Sequence, residues 1–498
     1  MKKFLFITSL LVTMIGFAQT NQIEIVNADN LEADNQEYPD AKLLIGNIQV
    51  KHKGALLYCN KAYLFEKLNK IIGLGNVQIV QGDTLFLNSK YIEYDGNTQV
   101  TLASGEVVLH DPQSTLSTSS LYFDRKLQEA YYNSGATIIN QDNTLKSDKG
   151  NYYANQKLFK FHNNVTIVNP EYTIDTNYLE YNTLTGDAYI KEDTYIRSEG
   201  NTIFTQEGTY NTKNNEAFLT KNSHIVYQDR TIKGDSIYFD RNKGFSYIKN
   251  NVFINDTINK TTARADYGEF YSQKDSVYLS KNTLIAVESS AKDTLYTSAE
   301  RIIITGKAGN RITKAYHNVR FLQNQMSGKA DSLYSNEYEG ITKLIGKPVL
   351  WNAQSQITGD LILLINNTKT NKLDSLKVLN NVFIIEKDTL GMGYNQVKGQ
   401  HLLGRFADGK LAEVDIIRNT EMIYYVYTEN ELYGIDKNIS SKINLTFFDN
   451  KIETITFFTD VKGDTYPEEQ LPENARILRG FKWRGDEQIF NIEQVIVP

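Results

Sequence analysis

The chain has 498 residues, 41% hydrophobic and 22% charged, with 32 Tyr against 7 Pro and a net charge of −6. That is a globular balance that favours β structure over a disordered or Pro-rich chain. Acidic and basic residues are interspersed, so there is no basic stripe for nucleic acid and no polybasic segment for a membrane surface.

Residues 1–18 carry two lysines, an apolar run from Phe4 to Phe17 and a small-residue exit at Ala18, the pattern of a secretory signal peptide too short for a comfortable membrane span. Cys59 is the single cysteine, so neither an intramolecular disulfide nor a lipid-modified cysteine at the mature N-terminus is expected. Residues 19–45 form an N-terminal segment, and the first copy of a repeat opens at Gly46 with "GNIQVKH".

The repeat has a fixed step. Threonines at 115, 144, 173, 202 and 231 are each 29 residues apart. One apolar column reads Leu87, Leu116, Leu145, Ile174, Ile203, Ile232; another, ahead of it, reads Val80, Leu109, Ile138, Ile167, Ile196, Ile225, Ile254. An aromatic column follows the first by seven residues: Tyr94, Phe123, Tyr152, Tyr181, Tyr210, Phe239. Alternation within a strand has period two, so the odd step requires one residue that changes the pleat. The intervening Ser89, Thr118, Ser147, Thr176, Thr205 and Gly234 are residue types suited to such a bend. The motif "GNVQIVQ" at Gly75 returns as "NNVTIVN", "NNVFIND", "HNVRFLQ" and "NNVFIIE", extending the pattern to about residue 420.

No sustained 3.6-residue periodicity occurs, and the unit is too short for a propeller blade or a free-standing domain. The expected fold is therefore all-β, an elongated stack of rungs of the β-jellyroll or β-solenoid kind. Roughly a dozen rungs would give a trough on the order of 55 Å long. The period breaks near 304–318, a candidate join between two half-stacks within a repeat region of 46–420. Residues 421–498, with Pro467, Pro472, Phe481 and Trp483, form a β-rich segment that could cap the last rung or bind a partner. Phe481 and Trp483 are its candidate partner anchors; as buried cap residues they would need no partner.

The six histidines share no metal-ligand spacing, and no hydrolase, phosphate-loop or dinucleotide motif occurs. No enzyme activity, metal or cofactor is expected. Asp148 and Asp235 share a column with Lys90, Ser119, Asn177 and Gln206, which suits a solvated corner better than a catalytic pair.

The repeated "GNV" strands (Gly75, Asn76, Val77), with Asp235, Ile237, Phe239 and Asp331, Leu333, Tyr334 behind a signal peptide, resemble the OstA-like family, the periplasmic lipopolysaccharide-transport proteins of Gram-negative bacteria. The ending "RILRGFKWRGDEQ" is similar to that of the longer members. The resemblance implies a partly open jellyroll trough whose apolar interior cradles the acyl chains of lipopolysaccharide. It also implies end-to-end strand pairing with similar components, or with further copies of the chain as a homo-oligomer, in a bridge from inner to outer membrane. The groove residues it implies are Leu109, Ile138, Ile167, Ile196, Ile225 and Ile254, faced by Leu116, Leu145, Ile174, Ile203 and Ile232. The chain lacks the long run of alternating strands of an outer-membrane barrel. The alternative reading is a secreted β-solenoid surface protein, an adhesin or polysaccharide-binding module, whose aromatic column would be an exposed stacking platform.

Overall fold

The computed structural model describes residues 21–33, 36–82, 85–290, 293–370, 372–407, 410–448 and 451–497; the expected signal peptide, 1–18, lies outside them. Nearly all regular structure in them is β-strand, joined by short 3-10 turns and one four-residue helix, Ile492–Val495. The pairings are antiparallel and join strands near in sequence. The all-β stacked-rung fold expected from the repeat is thus what the structure shows. The chain divides into two compact units, residues up to Glu199 with Asn211–Lys213, and Gly200–Tyr210 with Asn214–Pro498.

Each rung is built from long strands folded across a bulge. In the first unit Leu158–Asn169 pairs with Tyr172–Asn182, and the register slips between His162 and Val165. The two residues in the slip, Asn163 and Asn164, both have positive φ, 64° and 49°. Gly75 and Asn76 do the same at 72° and 48°, and Asn250 and Asn251 at 57° and 51°. The "GN" and "NN" of the sequence motif are therefore hinges: Gly takes left-handed backbone without a Cβ clash and Asn tolerates it best among the rest. The next residue is always deep inside, as Val77, Val107, Val165, Val252, Val319 and Val382 are 0–2% exposed.

The partner strand changes its pleat at the polar column, as the odd spacing requires. Thr176 lies opposite Val165 and Ser89 opposite Val77. Their buried hydroxyls donate to the carbonyl two residues on, Ser89 to Tyr91 at 3.0 Å and Thr205 to Glu207 at 2.8 Å. One position further, the solvated corner is closed by hinge asparagines: Asn164 donates to Asp148 at 2.7 Å and Asn251 to Asp235 at 3.0 Å. Segment 304–318 is the hairpin between Arg301–Thr305 and Ile312–Gln323, inside the second unit.

A strap of irregular chain, residues 467–497, lies on the second unit. Leu471 and Leu478 pack with Phe383, Ile385, Ile423 and Ile435, while Ile489 and Val495 pack with Leu284 and Leu322. Two buried glutamines hold it by both ends of their amides. Gln396 donates to the Arg476 carbonyl (2.8 Å) and accepts from the Leu478 amide (2.9 Å). Gln356 donates to the Lys482 carbonyl (2.9 Å) and accepts from the Arg484 amide (2.6 Å). The strap ends at Ser298, whose hydroxyl accepts from the Val497 amide at 3.0 Å.

Candidate functional site

The apolar columns become one ladder in register. In the first unit Leu87 lies opposite Leu109, Leu109 opposite Leu116, Leu116 opposite Ile138, Ile138 opposite Leu145, Leu145 opposite Ile167, Ile167 opposite Ile174, and Ile174 opposite Ile196. The two columns are thus cross-strand neighbours on one sheet face and do not look at each other across a gap. Their upstream member is Ile79, not Val80: Ile79 pairs with Leu87 and is buried, whereas Val80 pairs with Phe86 and is half-buried. The fixed step of 29 fails there by one residue, and a one-residue shift turns a side chain to the other face.

From Leu109 to Ile196 these residues are 0–2% exposed, so the interior of the first unit is filled by its own side chains. Polar latches join the hairpin tips of its two arms. Arg125 donates to Tyr94 at 2.8 Å and to Gln81 at 3.1 Å, and His52 bonds the same Tyr94 hydroxyl at 2.6 Å. Asp111 accepts from Tyr152 and lies 3.2 Å from Lys157 Nζ. Tyr181 donates to Asn140 at 2.9 Å. Burial depresses the His52 pKa, with Arg125 and Lys53 adding repulsion against the Asn21 carbonyl that favours the charge. Burial pushes the Asp111 carboxyl up, but hydrogen bonds from Tyr152, Lys157 and the Gln113 and Ser114 amides outweigh it, leaving it below the ordinary carboxylate range. Burial also pushes the Cys59 thiol up to about 11, an inert core cysteine.

Three tyrosines of the aromatic column, Tyr94, Tyr152 and Tyr181, are the hydroxyl half of these latches. Tyr94, Phe123, Tyr152, Tyr181, Tyr210 and Phe239 are 0–7% exposed, so this column offers no stacking platform. Rings that do lie on an outer face are other residues, such as Tyr238 stacked on Tyr247 at 4.9 Å.

In the second unit the same ladder runs Ile203, Ile225, Ile232, Ile254, Ala263, Ile285, but Ile225, Ile232 and Ile254 are only half-buried. On the other arm of these rungs Ile237, Ile248, Leu279 and Ile302, next to the hinge, are buried. Phe270, Val277 and Ile304, nearer the tips, are half-buried. The two arms are therefore closed at the hinge and bound a cleft toward their tips that is mainly apolar, with Ser246 and Thr313 beside Phe270 and Ile304 on one wall. It is the one stretch where the sequence-derived groove residues stand partly free.

Pairing parity puts the strap on the opposite face of the ladder's own arm. Tyr296, Leu322, Ser327, Trp351, Gln356, Ile385, Gln396 and Ile423 are consecutive cross-strand partners on the strap face. Upstream of the strap that face carries Thr231, Asn255 and Thr262. Phe481 and Trp483 belong to the strap and are half-buried against Tyr394, at 5.3 and 5.5 Å. A cavity of about 310 Å³ under the strap is lined by Lys347, Asp360, Phe383, Lys482 and Arg484 among others, on the strap face and away from the ladder. Among the described residues no group of three His, Cys, Asp or Glu could hold a metal, and no helix is long and apolar enough to cross a membrane.

No curated protein matches the chain. Among solved structures, it is similar to a crystal structure of LptH from Pseudomonas aeruginosa. That protein is described as the LptA homologous periplasmic component of the conserved lipopolysaccharide transport device. The match has 11% identity, covers 28% of this chain and 95% of that one, and has a TM-score of 0.22. The family model of OstA-like proteins matches residues 20–177. Part of the resemblance carried by the repeat grammar is thus met by the family's own model: over residues 20–177 the chain is similar to OstA-like proteins.

Proposed function

We propose that this protein is a periplasmic carrier of lipopolysaccharide that shields acyl chains along its apolar ladder, as part of a bridge between the inner and outer membranes. The observation that carries the reading is the half-buried stretch Ile225–Ile232–Ile254 within a ladder otherwise filled by its own side chains. An acyl chain costs about 0.8 kcal/mol for each methylene left in water. A continuous apolar wall offsets that cost without demanding a fixed pose, which suits transport better than tight capture. The match of residues 20–177 to the OstA-like model supports the same reading. Lodging and protecting a chain needs no covalent step, in keeping with a protein that is not an enzyme.

Partners join by strand pairing at the stack ends. The strand Lys451–Phe458 is paired with Glu431–Phe448, and among the described residues no strand is paired to its other edge. Such an edge accepts a strand from a second jellyroll or a second copy. Phe448 (74% exposed) and Phe458 (43% exposed) flank it.

Photo-crosslinking in cells tests the cargo, with a reactive side chain at Ile225, Ile232 or Ile254, and at Thr166 and Thr231 on the opposite face. Lipopolysaccharide adducts are expected at the isoleucines and not at the threonines. An exported, folded protein with no lipid adduct at any isoleucine would remove the carrier reading.

A further inference from the structure

The two units close their mouths differently. In the first, hydrogen bonds such as Arg125 to Gln81, 3.1 Å, tie one arm's tip to the other's over a filled interior. In the second, the tips beside Ile254 and Ile304 are bridged by Arg311 and Asp256, Nη2 to Oδ2, at 3.8 Å, beyond hydrogen-bond distance. Each of these residues is anchored in its own arm. Asp256 accepts from Arg230 Nε at 2.9 Å and from the Asn259 amide at 2.9 Å. The Arg311 amide donates to Glu337 at 3.1 Å. Separating the tips therefore leaves the buried Asp256 carboxylate still bonded, so the cross-arm ion pair is its most expendable contact. Half-buried Ile254 and Ile304 flank the gap on either side.

The strap adds a second, independent observation. It braces the ladder's arm from Lys437, whose ammonium donates to the Ala475 carbonyl at 3.1 Å, back to Ser298. The strap's packing reaches back to Leu284 on that arm; among the described residues the strands before it, Arg230–Lys233, Phe245–Asp256 and Thr261–Tyr271, lie beyond that packing, so the arm is free to splay where the ladder is half-buried.

We propose that the gap between Asp256 and Arg311 is a lateral entry port through which a single acyl or alkyl chain reaches the ladder, with the two side chains acting as its latch. This inference rests on the lipid-carrier reading, which it deepens by naming where cargo enters.

The test uses the full chain carrying Asp256→Cys and Arg311→Cys, joined or not by a short bismaleimide; Cys59 is buried and does not compete. Uptake of a fluorescent dodecanoic acid is followed by fluorescence, with Asp229→Cys/Thr257→Cys, neighbours at 3.1 Å within one arm, linked in the same way as the control. Linking 256 to 311 is expected to slow uptake at least tenfold, while the one-arm link leaves it unchanged and Arg311→Met speeds it. Uptake through the linked mouth at the unlinked rate would overturn the port while leaving the carrier reading intact. Wild-type protein that takes up no fatty acid would overturn the carrier reading and the port with it.

Discussion

Asp111 shows how a single side chain closes a rung. It is 3% exposed, accepts from Tyr152, and pairs with Lys157 at 3.2 Å. Its carboxyl is held below the ordinary carboxylate range. A group depressed in the folded state contributes stability that is fully present above its unfolded value, near pH 4, and is lost as pH falls through the folded value. Asp111→Asn should therefore cost on the order of 1–3 kcal/mol at neutral pH and flatten the fall in stability on acidification, read by denaturant titration at several pH values. An unchanged acid slope would show that the latch does not depend on the charge. The role of this residue was not legible in the sequence because its partners lie 41 and 46 positions away, and of the column Gly82, Asn140, Asn169, Ser198, Tyr227 and Asp256 only Asp256 repeats the carboxylate. The aromatic column was legible as a column, but its burial was not, since a tyrosine with a satisfied hydroxyl is as apt inside as outside.

The hinge is the element on which every rung depends, and it was written in the sequence as a motif before its geometry was known. Two successive left-handed residues, such as Asn163 and Asn164 at φ 64° and 49°, turn one long strand into two arms. Asn163→Gly should be tolerated, whereas Asn163→Val should cost about 1–2 kcal/mol, the penalty for left-handed backbone in a residue with a branched Cβ. Parallel thermal melts of the two variants check the asymmetry; equal melting temperatures would mean that the hinge is not strained by side chains. The strap was read as part of a segment, 421–498, that caps the last rung or binds a partner, yet its docking face left a trace. Runs such as "PVLW" at Pro348–Trp351 and "VFII" at Val382–Ile385 break the strict alternation of a strand with one wet face, the signature of strands covered on both sides. What covers them could not be deduced, because the strap has no period and meets its partners through backbone.

Over the whole molecule, one grammar runs from Gly46 to about residue 420, while the family model stops at residue 177. The spacing loosens after the hairpin at 306–311, but hinge pairs such as His317–Asn318 and Asn380–Asn381 persist, so the rungs are made in the same way. The fold class and the ladder were therefore legible from phase alone. Which part of the ladder is filled and which is free was not, since isoleucine serves equally in a closed core and an open wall. At the last rung, Phe448→Lys with Phe458→Lys places charge beside the unpaired strand edge, as natural edge strands do to block pairing. Sedimentation of the double variant should show loss of end-to-end association with no change in lipid adducts at Ile232. Association that survives both lysines would place the partner surface elsewhere.

The strap imposes an order of events on the polypeptide. Its final contact joins Val497 to Ser298 across 199 residues, and the glutamine clamps span 80 to 128. Contacts so remote in sequence form late. Until residues 467–497 have been made and have docked, Trp351, Ile385 and Ile423 stand as an unshielded hydrophobic patch beside the completed strands. A chain caught before the strap docks would therefore expose that patch to chaperones and proteases, and the strap would act as a seal that withdraws the signal once it has closed.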